Sequence, residues 1–197
     1  MIRNQLRPAI LLTVVFIVIT GLIYPGVVTG LARVLFPSQS AGSLVTSNGQ
    51  VIGSSLIGQQ FTQPWYFHPR PSAAGSGYDA TASGGTNKGP TDRKLADTLI
   101  AGAIAQAESS GVPKGKVPAD MATSSASGLD PHISPANALF QVARVAAARG
   151  ADSSQVRELV QRHIEGRQLG FLGEPRVNVL ELNLALDSAL PRRAQTH

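Results

Sequence analysis

An uncharged run near the amino terminus constrains this chain more than any other feature. Residues 9–32 read AILLTVVFIVITGLIYPGVVTGLA and contain no charged side chain, with Arg3 and Arg7 before them and Arg33 directly after. A helix rises about 1.5 Å per residue, so twenty-four residues cover the roughly 30 Å of hydrocarbon in a bilayer. The run predicts one membrane-spanning helix.

Two other interpretations of this run fit less well. A signal peptide has an apolar region of about 7 to 15 residues followed by a cleavage site of small residues. The run is longer than that, and the nearest such stretch, residues 38–41, has Gln39 where a small residue is needed. A buried core helix would need protein on every side. We therefore expect an uncleaved anchor that contacts lipid.

The basic residues around the run predict its orientation. Two arginines precede it, whereas only Arg33 follows before the next basic residue, Arg70. Because basic residues favour the cytoplasmic side, the amino terminus is expected in the cytoplasm. The expected organisation is a cytoplasmic tip and transmembrane helix over residues 1–37 and an extracytoplasmic domain over residues 38–197.

Two glycines in the run are candidates for helix packing. Gly26 and Gly30 are four residues apart, so they share one helix face on which another helix could approach closely. Pro25, just ahead of them, lacks a backbone N–H and predicts a kink.

Composition excludes several classes of function. The net charge is +5, but the three arginines around the anchor leave fourteen basic against twelve acidic residues in the remainder, so nucleic-acid binding is not expected. The chain has no cysteine, which excludes disulfides, thiol chemistry and thiolate metal sites.

The rest of the chain predicts an α+β domain with an N-terminal hairpin and three to four helices. Asn48-Gly49 suits a primed turn between strands 43–47 and 50–52, an element that Leu56, Ile57 and Phe61 are expected to continue. Capping patterns and apolar periodicity predict the helices. Their expected ranges are 92–108 capped by Thr91, 135–149 capped by Ser134, 153–165 capped by Asp152 and 179–189 capped by Asn178, with a break over 111–118 and a frayed tail from Arg192. For the last of these, the alternating leucines of residues 177–186 also fit a strand, whereas the Asn178–Glu181 capping pattern favours the helix.

Candidate functional residues lie in three polar or aromatic stretches. Residues 65–72, WYFHPRPS, either pack beneath a proline-rich loop or form a recognition surface. The long glycine-rich stretch 73–90 lacks the G-x-x-x-x-G-K-[ST] pattern of a phosphate-binding loop. Asp130 and His132 are either a metal or proton-transfer pair or part of a turn before a helix. A hydrolase using Ser127, Asp130 and His132 is a further hypothesis, but no G-x-S-x-G motif supports it.

Five stretches together resemble one protein family. They are GSSLIGQ at 53–59, WYFHPRPS at 65–72, ASGGTN at 82–87, SGLDPHIS at 127–134 and residues 170–187. With the single anchor before them, they resemble the C subunit of the Kdp-type potassium-transporting ATPase of bacteria. The resemblance implies a non-catalytic accessory subunit that is needed for assembly and raises the ATP affinity of the catalytic subunit.

The resemblance also implies partners and sites. The expected partners are a channel-like potassium-translocating subunit, a P-type ATPase catalytic subunit and a small single-helix subunit. The resemblance places all of them in the lipid bilayer of the bacterial inner (plasma) membrane. No firmly bound cofactor, metal site or catalytic residue is expected, and ATP is possible only through the catalytic subunit. The glycine-rich segment, likened in the family to an ABC-transporter signature loop, makes these residues a possible nucleotide or partner contact: Ser83, Gly84, Gly85, Thr86 and Asn87. The remaining stretches supply partner or structural residues: Tyr66, Phe67, His68, Arg70, Ser127, Gly128, Asp130 and His132. A membrane-anchored extracytoplasmic hydrolase or ligand-binding domain stays open as the alternative.

Overall fold

The computed structural model describes residues 2–110 and 116–191. The chain divides between Ile52 and Gly53 into two compact units. The predicted break from Gly111 and the predicted frayed tail from Arg192 therefore begin outside the described residues.

The first unit begins with a long helix that contains the uncharged run. Helix α1 (Ile2–Val18), a π-helical segment (Ile19–Ile23) and helix α2 (Tyr24–Leu35) follow one another without a break. Among the described residues, Asn4–Leu35 is the one helix long and apolar enough to cross a membrane. The predicted helix is confirmed, and its length and composition support membrane association.

Pro25 has a specific effect on this helix. The backbone N–H of Tyr24 donates to the carbonyl of Ile19, five residues earlier, as in a π-helix. A proline ring clashes with the carbonyl four residues before it and supplies no donor. The wider π segment directly ahead of Pro25 accommodates that missing hydrogen bond, as is typical of π-bulges.

The predicted hairpin follows a short helix, α3 (Pro37–Ser40), and consists of β1 (Leu44–Ser47) and β2 (Gln50–Ser54). Asn48 and Gly49 have φ of 50° and 77°, as the primed turn requires. The expected continuation through Leu56, Ile57 and Phe61 is wrong. Strand β2 ends at Ser54, whose hydroxyl oxygen accepts from the backbone N–H of Leu56 at 3.1 Å and turns the chain.

The second unit contains five helices and a small sheet in its described part. A 3₁₀ turn (Ala80–Ala82) comes before α4 (Arg93–Ser110), α5 (Ala119–Ala122), α6 (Pro135–Arg149), α7 (Ser153–Arg162) and α8 (Val179–Ala189). The antiparallel pair β3 (His132–Ile133) and β4 (Val177–Asn178) joins the approaches to α6 and α8. The mixed helix and small-sheet architecture agrees with the predicted α+β class. The predicted count of three to four helices is too low, because the four-residue helix α5 was not predicted.

Most helix boundaries agree with the capping patterns. Ser134 caps α6 by accepting from the N–H of Asn137 at 3.0 Å, and Asn178 caps α8 by accepting from the N–H of Glu181 at 3.2 Å. The predicted α4 cap is one residue too early, because Asp92 and not Thr91 accepts from the N–H of Leu95, at 2.8 Å.

The predicted end of α7 is also wrong. The helix ends at Arg162 rather than at Glu165. Glu165 instead exchanges two backbone hydrogen bonds with Arg176, at 2.8 and 3.1 Å. This pairing forms the base of a loop over residues 165–176, which leads to β4 and which we call the excursion.

The core lies between α6, α7, α8 and the segment that contains Phe67. Its fully buried side chains are mostly aliphatic and come from all three helices. The largest apolar ones are Phe67, Ile133, Val142, Val145, Val156, Val160, Val177, Val179, Leu182 and Leu186. Phe67 is the only aromatic among them, so the aromatic stretch contributes directly to the packing of this unit.

Candidate functional site

The backbone of residues 65–68 is bound by side chains of α6 and α8. Asn183 accepts from the N–H of Phe67 at 2.8 Å and donates to its carbonyl at 3.0 Å. Gln141 accepts from the N–H of His68 at 2.7 Å and donates to its carbonyl at 3.0 Å. Both amide side chains are buried, at 2% and 1% exposure. They satisfy the segment as a neighbouring strand would.

A buried arginine holds the start of the same segment. Arg149 donates to the carbonyl of Trp65 at 2.8 Å, to that of Leu190 at 3.0 Å and to the carboxylate of Asp187 at 2.7 Å. Its guanidinium also lies 5.2 Å from the ring centroid of Tyr66, whose hydroxyl donates to Asp187 at 2.7 Å. Tyr66 and Arg149 therefore share one carboxylate at the carboxyl ends of α6 and α8.

Arg70 leaves this segment and reaches the residues before α6. Its guanidinium lies 3.3 Å from Asp130, and donates to Thr123 and to the carbonyl of Ser124. His132 contributes its backbone N–H to the other oxygen of Asp130 at 2.9 Å, and its ring Nδ1 lies 3.4 Å from that oxygen. The predicted Asp130–His132 pair is thus close in space, and Arg70 completes it.

The electrostatics of Asp130 follow from this position. Partial burial is the largest influence and acts to raise the pKa of the carboxyl. Hydrogen bonds from His132, together with the charges of His132 and Arg70, outweigh it and hold the pKa of Asp130 below its ordinary value. Asp130 is therefore a carboxylate at neutral pH and serves as an acceptor rather than as a proton donor.

Residues 127–134, which we call the hub, are contacted by the other four stretches that carry the resemblance. Each of these four stretches forms at least one hydrogen bond or ion pair with the hub, and β4 pairs with strand β3 of the hub. These contacts are Gly58 N–H to Leu129 O at 2.8 Å, Ser72 Oγ to Gly128 O at 2.6 Å, Gly84 N–H to Ser127 O at 2.9 Å, Val179 N–H to Pro131 O at 3.0 Å, and Arg70 to Asp130.

The glycines at the hub permit this convergence. Gly128 has φ of 67°, and a Cβ there would lie 2.6 Å from Ala74 N and 2.8 Å from Gly84 O. A Cβ on Gly85 would lie 3.0 Å from Ala126 O. The glycine-rich segment is consequently packed against the hub through its backbone, while the side chains of Ser83, Thr86 and Asn87 are exposed.

Three open clefts surround Arg70, with volumes of about 470, 500 and 330 Å³. The second is lined by serines and the third by charged side chains of both signs. In the described chain Ser127 Oγ makes only local hydrogen-bonding contacts, accepting from Leu129 N–H at 3.1 Å and lying 3.5 Å from Ser125 Oγ. His132 faces Asp130 instead, so these residues do not form a Ser–His–Asp triad.

Comparison with known proteins identifies the family. The family model described as KdpC, the c chain of the K⁺-transporting ATPase, matches residues 6–188. The chain belongs to the KdpC family. As a member of this family it is an accessory subunit of the K⁺-transporting ATPase and not the catalytic subunit, which excludes the hydrolase hypothesis.

Individual relatives agree over almost the whole length of the chain. A potassium-transporting ATPase KdpC subunit of Koribacter versatilis is 58% identical over 96% of this chain and 97% of its own length. Relatives with the same name from Gemmatimonas aurantiaca and Rhodospirillum rubrum are 59% and 55% identical, over 94% and 95% of this chain and 93% and 97% of their own lengths.

The residues predicted from sequence fall into separate groups in this KdpC-family chain. Arg70, Asp130 and His132 form one cluster, and the glycine-rich segment packs beside Ser127 and Gly128. The side chain of Phe67 is buried in the core, His68 lines the cleft of about 470 Å³, and the backbone of both residues is held by α6 and α8. Gly26 and Gly30 lie on α2 in the first unit, where a Cβ on either glycine would meet no atom within 4 Å.

Sequence reasoning missed the polar residues that hold the aromatic segment. Gln141, Arg149 and Asn183 are among the most buried polar side chains of the described chain. A signal for them was present, since each is a polar residue at a helix position flanked by apolar core positions, as Asn183 is by Leu182 and Leu186. Such residues are retained in a core when they have specific hydrogen-bond partners.

His68 predicts a pH dependence of stability. Burial, followed by the charge of Arg144, lowers the pKa of His68 below its ordinary value of 6.5, although a hydrogen bond to Gln63 O opposes this. The unfolded chain therefore binds more protons than the folded chain as pH falls below 6.5. We expect urea midpoints of the full chain in detergent to fall from pH 7.5 to 5.5, and His68→Gln to flatten that fall. If the urea midpoint of the variant fell as much between pH 7.5 and 5.5 as that of the unmodified chain, the prediction would be contradicted.

Proposed function

We propose that this chain stabilises the assembled potassium pump and raises the ATP affinity of its P-type ATPase subunit, acting as a catalytic chaperone. In this proposal one transmembrane helix over residues 1–37 anchors an extracytoplasmic domain over residues 38–197 to the bacterial inner membrane, with the amino terminus in the cytoplasm. Its partners are the channel-like potassium-translocating subunit, the catalytic subunit and the small single-helix subunit.

The small-residue face of α2 carries this proposal. Gly26 and Gly30 leave open space where their side chains would be, and the surrounding apolar side chains of α1 and α2 are exposed in this chain. Helices in lipid associate through close packing, because lipid competes for apolar contacts. A face that brings backbones together therefore suits a helix of a neighbouring subunit.

The orientation proposed from Arg3, Arg7 and Arg33 bears on how ATP affinity is raised. It places the glycine-rich segment, with Ser83, Gly84, Gly85, Thr86 and Asn87, on the side of the membrane away from cytoplasmic ATP. We therefore favour coupling through the anchor and an extracytoplasmic partner contact over direct nucleotide binding. The packing of this segment against the hub supports a structural or partner-binding role.

Replacing both packing glycines with leucine tests the assembly role. In Gly26→Leu/Gly30→Leu, the added side chains prevent close helix approach, and we expect recovery of the partner subunits with the tagged chain in mild detergent to fall about tenfold, the equivalent of ~1.4 kcal/mol. Mass spectrometry of the purified material measures the ratio. ATPase assays at graded ATP concentrations on the depleted complex should show a higher KM for ATP.

Gly21→Leu is the matched control. Gly21 lies in the same apolar helix, and a Cβ there would likewise meet no atom within 4 Å, but it is outside the four-residue spacing. It should retain the partners. Normal recovery of all partners with the double variant would overturn the packing role, and an unchanged KM for ATP after loss of the chain would overturn the effect on affinity.

A further inference from the structure

The excursion between α7 and β4 ends in a group of exposed apolar side chains. Leu169, Phe171 and Leu172 are 83%, 69% and 47% exposed, and we call these three residues the apolar tip. In the described part of the second unit, the other large apolar side chains with comparable exposure are Leu56, Ile57 and Ile100. Large apolar side chains exposed together in one short loop are typical of a binding element.

The apolar tip is held in a defined conformation. The N–H of Gln168 donates to Leu172 O at 2.9 Å, and the N–H of Leu172 donates to Gln168 O at 2.9 Å. Leu169 has φ of 53°, a left-handed conformation that is unfavourable for a residue with a Cβ. The local hydrogen bonds thus maintain a costly conformation that presents a leucine to solvent rather than burying it.

The charges beside the apolar tip are balanced in pairs. Arg167 donates to both carboxylate oxygens of Glu174, at 2.9 and 2.8 Å, and Arg176 donates to Glu165 at 2.9 Å. Segments that bind the lipid surface usually combine apolar side chains with an excess of unpaired Lys or Arg. A neutral, ion-paired collar complements the polar rim of a protein pocket better than an anionic headgroup layer.

The base of the excursion is fixed to the hub. Val177 is fully buried and pairs with Ile133 of β3, one residue beyond Arg176. Glu174 and Arg176 line the cleft of about 330 Å³ together with Arg70 and His132. The apolar tip is therefore connected to a paired and buried part of the second unit rather than to a free loop.

We propose that the apolar tip inserts into an apolar pocket on another protein subunit of the K⁺-transporting ATPase. The inference rests on the proposed function, since it requires the chain to be assembled with other subunits. It adds a second contact, separate from the glycine face of α2. Large apolar anchors that fill a pocket commonly dominate the affinity of such contacts.

Photo-crosslinking within the complete complex identifies the occupant. In one variant p-benzoylphenylalanine replaces Phe171, and the complex is irradiated in native membranes. In the control variant it replaces Ile100 on α4, which is 59% exposed. We expect at least about tenfold more adduct with a protein subunit from position 171 than from position 100, as for an anchor enclosed by its partner. An adduct with lipid alone, or no adduct, would overturn the inference.

A substitution tests the energetic role. Asn tolerates the left-handed conformation, so Leu169→Asn/Phe171→Ser removes the apolar surface while retaining the fold, which Trp65 fluorescence can verify. We expect the complex to dissociate about tenfold faster on dilution in detergent, whereas Ile100→Ser should leave the rate unchanged. Equal rates for all three chains would count against the proposal.

The two proposals fail in different ways. If the unmodified chain recovers no other subunit under any mild condition, the proposed function itself is wrong. If all subunits co-purify but position 171 yields no protein adduct, only the insertion of the apolar tip is wrong.

Discussion

Gly128→Ala is expected to destabilise the second unit by about 2–4 kcal/mol, since alanine is strained at a φ of 67° and its Cβ would lie 2.6 Å from a backbone nitrogen. The obstructing atoms, Ala74 N and Gly84 O, belong to the backbone and cannot rotate away. The glycine-rich segment must then separate from the hub. Urea unfolding of the full chain in detergent, followed by the fluorescence of its single tryptophan, Trp65, measures the change.

Gly84→Ala is the matched control for this effect. Gly84 belongs to the glycine-rich segment itself, but a Cβ there meets no atom within 4 Å and its N–H can still donate to Ser127 O. We expect its stability to remain within about 0.5 kcal/mol of the unmodified chain. Equal urea midpoints for Gly128→Ala and Gly84→Ala would show that the close backbone contact at Gly128 does not contribute to the free energy of unfolding.

Asn183→Leu should have a comparably large effect, lowering the free energy of unfolding by about 2–4 kcal/mol. The side chain is of similar size, but it can neither accept from the N–H of Phe67 nor donate to its carbonyl. Both groups would then be buried without a partner, and each such group costs about 1–3 kcal/mol. The same urea experiment measures the loss, and Trp65 lies two residues from the affected backbone.

Ser188→Ala on the same helix provides the control. The Ser188 hydroxyl is exposed and, among the residues that the structure describes, donates only to Leu184 O, within α8 itself, at 3.0 Å. Its removal should change stability by no more than about 0.5 kcal/mol. If Asn183→Leu behaved like Ser188→Ala, the hydrogen bonds to Phe67 would be exchangeable with water at no cost.

Local sequence signals predicted the helices well because their ends are determined locally. Ser134 and Asn178 lie directly before their helices and satisfy the first free N–H groups. Gly150 ends α6 with φ of 65°, as a C-terminal glycine does. The hairpin turn at Asn48-Gly49 follows from the same kind of short-range preference.

Long-range contacts explain what could not be predicted. The strand expected through Leu56 and Ile57 is replaced by a turn, and the backbone beyond it joins the hub through Gly58 and Leu129. Helix α7 stops at Arg162 because the following residues pair with the strand-like approach to β4. The clustering of Arg70 with Asp130 also needs knowledge of the fold, since sixty residues separate them.

The hydrogen bonds between Phe67 and Asn183 join residues 116 positions apart in the chain. Synthesis proceeds from the amino terminus, so residues 65–70 are complete long before the helix that satisfies them exists. Contacts of such sequence separation slow folding because distant parts must meet before either is stabilised. The hydrogen bonds between Phe67 and Asn183 therefore cannot form until α8 has been synthesised and, in the proposed orientation, moved across the membrane. Helix α8 therefore determines when these hydrogen bonds can form, and truncations that remove α8 leave the backbone of Phe67 without its partner.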